Sequence, residues 1–319
     1  MNTRSPNTPY WLRNGHADTL FAKLLQGKAP DYRRELLPDS TGKTQVAYDF
    51  VDSADPDAPL VVLFHGLEGS SESHYAVELM KAVQQRGWNG VVAHFRSCGG
   101  IANTAPVFYH LGDTTEIAFM LNTLAQRYST IYAVGVSLGG NALAKYLGEQ
   151  GSNAVPRASA VVSAPVDAVA AGTRFDQGMT RLIYTRYFLN SLLPKARAIP
   201  QFQTALSRQN CKTLGDFDDR FTAPLHGFAD RHDYYRRNSC KPFLKGVDTP
   251  LLLLNAVNDP FLPPEALPTG RDVSSAVTLL QPAYGGHVWT PPKETRTYLR
   301  PKALAILLPS EVLPTPGGP

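Results

Sequence analysis

The sequence predicts an α/β protein with a mostly parallel central sheet, helices on both faces and an inserted helical cap. Three observations carry that prediction. From about residue 32, strand-like apolar runs alternate with helix-like segments, the order that builds a parallel sheet. One run, PLVVLFHG at 59–66, is continuously apolar, as strands buried on both faces are. Residues 168–245 then break the alternation with helical stretches such as MTRLIYTRYFLNSLL, Pro turns and no strand-like run.

Taken in order, residues 1–31 form an N-terminal extension bearing Trp11, Leu12, Leu20, Phe21, Leu24 and Leu25. It reads either as a helix packed on core or cap, or as an amphipathic anchor for a lipid surface. YRRELLPDS and TQVAYDFVD make a hairpin about Thr41-Gly42, and the buried strand 59–66 stops on Gly66. A helix over 74–86, a strand at 90–95, a helix over 112–128 and a strand at 130–136 follow. That last strand runs into Ser137-Leu138-Gly139-Gly140 and a new helix, and a strand at 158–166 precedes the cap at 168–245. Strands in 249–259 and 276–287 and a helix within 293–307 complete a core of 32–167 and 246–308, and the Pro/Gly-rich tail 309–319 reads as disordered.

Composition narrows the function classes. The chain has 319 residues, 43% hydrophobic and 18% charged, which excludes a disordered or fibrous protein. A net charge of +4 is too small to argue for nucleic acid as a partner. Cys98, Cys211 and Cys240 are far apart with no C-x-x-C spacing, so neither a disulfide framework nor a zinc ribbon is expected, and a reducing cytoplasm fits best. No secretory signal or transmembrane run is legible, which leaves only peripheral membrane contact open. No His, Cys, Asp or Glu spacing suits a metal, and the Arg96-Ser97-Cys98-Gly99-Gly100 loop lacks the G-K-[ST] of a phosphate cradle. No metal and no organic cofactor is expected, and Cys98 reads as a small buried thiol.

The sharpest motif is Gly135-Val136-Ser137-Leu138-Gly139, a G-x-S-x-G between an apolar strand and a helix. Such a turn thrusts the serine hydroxyl outward at the carboxyl edge of the sheet, and glycines flank it because side chains there would collide with the strand and helix. A serine hydroxyl needs an adjacent base, and the base an orienting acid. Asp259 follows the strand LLLLNAVN, and His287 follows the next strand in Ala283-Tyr284-Gly285-Gly286-His287. Serine, acid and histidine thus stand in the chain order of one known triad class, each at a carboxyl-terminal strand end. The oxyanion would be held by two backbone N–H groups, of Leu138 after the nucleophile and of Leu67 in His65-Gly66-Leu67-Glu68-Gly69. His65 reads as shaping that loop, since His287 makes a second catalytic histidine redundant.

With those residues placed, the chain resembles the YheT-like esterase family of the α/β-hydrolase superfamily, related to plant Emb8-like proteins and animal abhydrolase-domain lipases. The resemblance spans about residues 8–308 through WLRNGHADTL at 11–20, FHGLEGS at 64–70, HFRSCGG at 94–100, YHLGD at 109–113 and GVSLGGN at 135–141. It implies the α/β-hydrolase fold and a carboxylic-ester hydrolase with Ser137, Asp259 and His287 as its triad.

The expected partner is therefore a small-molecule or lipid ester, with Leu, Ile, Tyr and Phe around 179–193 accommodating an acyl or alkyl chain. Two alternatives stand beside hydrolysis. One is an acyltransferase or thioesterase using the same nucleophile, although no H-x-x-x-x-D pattern is present; the other is a non-catalytic ligand-binding protein on the same fold. The basic surplus sits in the cap, where residues 168–245 hold 13 Lys and Arg against 6 Asp and Glu. Arg231, Arg236 and Arg237 read as a solvated face, with a patch steering anionic esters or meeting an anionic lipid surface as the alternative.

Overall fold

A computed structural model describes residues 28–203, 206 and 210–288. The N-terminal segment through residue 27, the helix expected within 293–307 and the tail 309–319 lie outside the described residues.

Among the described residues eight strands form one sheet in the order β1-β2-β4-β3-β5-β6-β7-β8. The Thr41-Gly42 turn joins β1 (Arg33–Pro38) to β2 (Gln45–Val51), which run antiparallel with Arg33 opposite Phe50. β2 is also antiparallel to β4 (Asn89–Ala93), and the rest of the sheet, β3 (Leu60–Phe64), β5 (Ile131–Val136), β6 (Ala158–Val162), β7 (Leu251–Leu254) and β8 (Val277–Leu280), is parallel. Every residue of β3, β4, β5, β6 and β7 is buried, the outcome expected of unbroken Val, Leu and Ala runs covered on both faces.

Among the described residues, α1 (His74–Gln85), α2 (Thr114–Ala125) and α3 (Leu138–Gln150) cover the sheet. α1 buries Ala76, Val77, Met80, Ala82 and Val83, and of these Ala76, Met80 and Val83, at i, i+4 and i+7 on one face, pack with Val61, Leu63 and Val92 of the sheet. α2 starts at Asp113, whose carboxylate accepts from the Glu116 amide. α3 is buried along nearly its whole length, which fits the short apolar and small residues of LGGNALAKYL.

Between β6 and β7 the described residues form helices and turns. α4 (Ala168–Phe175) is capped by Asp167, a continuous helical run from Gly178–Thr180 through Arg181–Thr185 leads into α5 (Arg186–Arg197), and α6 (Arg231–Asn238) is capped by Asp230. Asn141 ties this segment to the core: its amide donates to the carbonyls of Leu111 and Asn238, and its oxygen accepts from the Cys240 amide. Arg231 pairs with Asp176 and Asp219, and Arg236 and Arg237 both pair with Asp233, so the densest basic cluster is interleaved with carboxylates. Among the described residues no helix is long and apolar enough to cross a membrane.

The sheet order places the site. The chain leaves β3 for β4 on one side and returns to β5 on the other, so the carboxyl ends of β3 and β5 diverge into a crevice where the strand order reverses. Leu67 follows β3 and Ser137 follows β5, across the pair that matches Phe64 with Gly135.

Candidate active site

Ser137 has φ 53° and ψ −117°, a conformation that costs a non-glycine residue about 1–3 kcal/mol and persists only where its surroundings enforce it. The surroundings here are two close approaches. A Cβ on Gly135 would lie 2.7 Å from the Gly139 carbonyl oxygen, and one on Gly139 would lie 2.5 Å from the carbonyl oxygens of Phe64 and His65. Glycine at both positions lets β5, α3 and the end of β3 meet. The Ser137 amide donates to Val162 at 2.9 Å, so the turn is anchored to β6 as well.

Asp259 and His287 lie at the neighbouring strand ends. Asp259 Oδ1 accepts from the Phe261 amide at 2.8 Å and its Oδ2 lies 2.9 Å from His287 Nδ1. His287 Nε2 lies 3.0 Å from Ser137 Oγ. A carboxylate only accepts, so Nδ1 carries the proton and Nε2 is left to accept from the serine hydroxyl. Asp259 and His287 are both buried, at 5% and 9% exposure, which shields the contact from bulk water. The histidine loop is fixed by its backbone: Asn258 Oδ1 accepts from the Gly286 amide and Ser163 Oγ from the Val288 amide, each at 2.9 Å. Gly285 and Gly286 both have positive φ there, and the Phe261 ring packs 4.2 Å from the imidazole.

Leu67 and Leu138 both border the cavity that contains Ser137 and His287. Among the described residues neither amide has an intramolecular acceptor, while the adjoining Gly139 amide donates to the His65 carbonyl at 3.2 Å. Gly66 and Gly69 close a turn through a 2.9 Å backbone bond, with Leu67 and Glu68 at its centre. His65 serves that loop. Its Nδ1 donates to the Gly66 carbonyl, its Nε2 accepts from the Phe95 amide, and burial holds its pKa down at about 3, so it stays neutral.

The cavity has a volume of about 550 Å³. Its walls are mainly apolar and aromatic, with Phe175, Tyr184, Phe188 and Leu192 from the β6–β7 segment facing Leu111, Leu138 and Phe261. Asp218, Thr222 and Tyr235 also border it, the Asp218 carboxylate accepting from both hydroxyls at 2.6 Å. Burial pushes the Asp218 carboxyl up to about 6. Sequence reasoning missed Asp218, Glu68 and Phe261, because nothing in a sequence pattern marks which residues of a distant segment fold over a strand end.

The remaining candidates resolve simply. Cys98, Cys211 and Cys240 are all buried, and burial pushes Cys98 up to about 12, far from a nucleophile's range. Arg96 is buried in hydrogen bonds to Asp39, Ser40, Asp113 and Glu116. Among the described residues no group of three or more His, Cys, Asp or Glu is arranged to hold a metal ion.

Comparison with known proteins agrees with this architecture. The alpha/beta hydrolase fold family matches residues 59–289. YheT of Escherichia coli (strain K12) is 36% identical over 293 residues, covering 86% of this chain and 84% of YheT. Phospholipase ABHD3 of Homo sapiens is 29% identical, covering 87% of this chain and 71% of that protein. The esterase Pf2001 of Pyrococcus furiosus shares the fold at a TM-score of 0.58 and 15% identity, over 96% of each chain. The chain therefore belongs to the α/β-hydrolase family, on the branch that includes YheT.

Proposed function

We propose that the protein is a serine hydrolase that cleaves carboxylic esters, of short- to medium-chain acyl groups or acylglycerol-like lipids, through an acyl-enzyme. The observation that carries this reading is the unbroken hydrogen-bond series Ser137–His287–Asp259 opening into an apolar cavity of about 550 Å³. His287 Nε2 takes the Ser137 proton as Oγ attacks the ester carbonyl. The Leu67 and Leu138 amides hold the negative oxygen, and Asp259 stabilises the imidazolium, which then protonates the leaving alcohol. Water, activated by the same imidazole, releases the acid and restores the serine.

The helices between β6 and β7 act as a cap that walls the acyl or alkyl site, since Phe175, Tyr184, Phe188 and Leu192 line it from that segment. The names of the relatives, a phospholipase and an esterase among them, support ester chemistry on this scaffold. Three buried cysteines with no C-x-x-C spacing fit the reducing cytoplasm as its compartment.

The test is labelling with a fluorophosphonate probe followed by a p-nitrophenyl ester series from acetyl to dodecanoyl. Labelling is expected to be lost in Ser137→Ala, and kcat/KM to rise from acetyl to medium chains. Hydrolysis retained by a folded Ser137→Ala protein would overturn the nucleophile, and a preference for acetyl would overturn the acyl site.

A further inference from the structure

We infer that Glu68 is a positioning residue for the oxyanion loop, and that it fixes the loop by fastening it to helix α5 of the cap. The inference deepens the proposed serine-hydrolase reading and rests on it. It starts from the turn that presents Leu67. Glu68 occupies the third position of the Gly66–Gly69 turn with φ 56°, the place where turns with positive φ favour glycine or asparagine. Glutamate has no local reason to be there, and a glycine would form the turn at lower conformational cost.

What glutamate adds is a set of long-range bonds. Its side chain is 3% exposed, although carboxylates are rarely buried unless paired. Its amide donates to Tyr109 Oη at 3.0 Å, and that hydroxyl donates back to Glu68 Oε1 at 2.7 Å, which fixes the central peptide of the turn. Glu68 Oε2 then accepts from Lys195 Nζ at 2.7 Å and from the Ser191 hydroxyl. Both of those donors lie on α5, 127 and 123 residues further along the chain. The same helix places Tyr187, Phe188 and Leu192 on the cavity.

One carboxylate thus joins the residue beside an oxyanion donor to the wall of the acyl pocket. While α5 is docked, the turn is held in a conformation its sequence does not favour, and the Leu67 amide stays aimed at the cavity. When α5 moves away, Lys195 and Ser191 leave with it, and of the partners of the Glu68 carboxylate Tyr109 remains. Glu68 touches no reacting atom in this account. It acts through Leu67, so its removal should weaken transition-state binding rather than abolish the nucleophile.

The experiment compares wild type with Lys195→Met, Glu68→Gly and Glu68→Gln. Lys195→Met removes the fastening but keeps the turn residue, and Glu68→Gly relieves the turn but removes the fastening. For each, kcat and KM on p-nitrophenyl hexanoate, inhibition by an alkylboronic acid that forms a tetrahedral adduct on serine, and melting temperature are measured. A donor lost outright from an oxyanion hole costs about 100- to 1000-fold, so a donor left poorly aimed should cost about 10- to 100-fold. That fall is expected in kcat for both Lys195→Met and Glu68→Gly, with KM little changed and boronate affinity falling in parallel with kcat/KM. Glu68→Gln should lie between them and wild type, and Glu68→Gln/Lys195→Met should lose no more than its worse single variant.

Unchanged kcat and boronate affinity in folded Lys195→Met and Glu68→Gly would overturn the inference, even if their melting temperatures fall, because a merely structural strap predicts that result. If Glu68→Gly does not fold, the partly exposed Lys195 substitution decides the question alone. Failure of wild type to take a fluorophosphonate on Ser137 would instead overturn the underlying serine-hydrolase reading.

Discussion

His287 Nε2 stands 3.0 Å from Ser137 Oγ across 150 residues of chain, and the distance is set by backbone anchors on either side rather than by the two side chains. Ser163 holds the Val288 amide and Asn258 holds the Gly286 amide, while Val162 holds the amide of Ser137. Asp259 decides which imidazole nitrogen bears the proton. In the proposed mechanism, replacing it with asparagine keeps the size but lets the ring turn its proton toward Ser137, which removes the base. Asp259→Asn should lower kcat on p-nitrophenyl esters about 10⁴-fold with little change in KM. A loss under tenfold would mean that Asp259 does not orient the base.

Much of this arrangement is legible in the sequence, for an identifiable reason. Strand ends follow from apolar runs that stop on Gly or Pro, and Ser137, Asp259 and His287 each sit at such an end, so a parallel sheet gathers them at one edge. The β1–β2 hairpin is likewise local chemistry. What the sequence hides is contact made across long separations. Ser191 and Lys195 meet Glu68, Tyr235 meets Asp218, and Asn141 meets Asn238, because helices with no regular spacing fold back over the sheet. The Glu68 carboxylate looks like a solvated loop charge until the helix that buries it is in place.

The glycines flanking Ser137 predict a steep steric response. An alanine methyl at Gly139 would sit 2.5 Å from two backbone carbonyl oxygens, which cannot move aside without shifting the end of β3 and the Gly66–Gly69 turn with it. Gly139→Ala should therefore lower stability by about 1–3 kcal/mol in urea unfolding and depress kcat in the same protein. Gly270, with open space around it, is the control. Gly270→Ala should stay within about 0.5 kcal/mol of wild type. Equal effects at both positions would mean that the close approach at Gly139 is not the constraint.

Arg96 predicts a large charge effect away from the chemistry. The guanidinium is 3% exposed and answers the carboxylates of Asp39, Asp113 and Glu116 together. Removing that guanidinium leaves three carboxylates facing one another, and burial already pushes Asp113 and Glu116 above their usual values. Arg96→Met should cost about 3–5 kcal/mol at neutral pH. Arg96→Lys should recover only part of that, since an ammonium cannot match a fork that bonds on three sides. A Met variant within 1 kcal/mol of wild type would show that the network contributes little.

Buried neutral histidines predict how the fold responds to acid. Burial holds His65, His110 and His226 down at about 3, against 6.5 for a free imidazole. Below pH 6.5 the unfolded chain takes these protons and the folded chain does not, so the stability they contribute is complete above 6.5 and is lost as pH falls toward 3. Each residue contributes at most about 1.4 kcal/mol per pH unit across that window. Asp218 acts with the opposite sign. Its carboxyl is pushed up to about 6, so the folded chain binds that proton more tightly, and its contribution grows as pH falls from about 6 toward 3.8. Melting temperature should therefore drop between pH 7 and pH 5 in wild type. His226→Phe, which removes an imidazole whose Nε2 has no hydrogen-bond partner among the described residues, should flatten that drop, and Asp218→Asn should steepen it. Parallel curves for all three proteins would mean that neither group titrates differently in the folded chain.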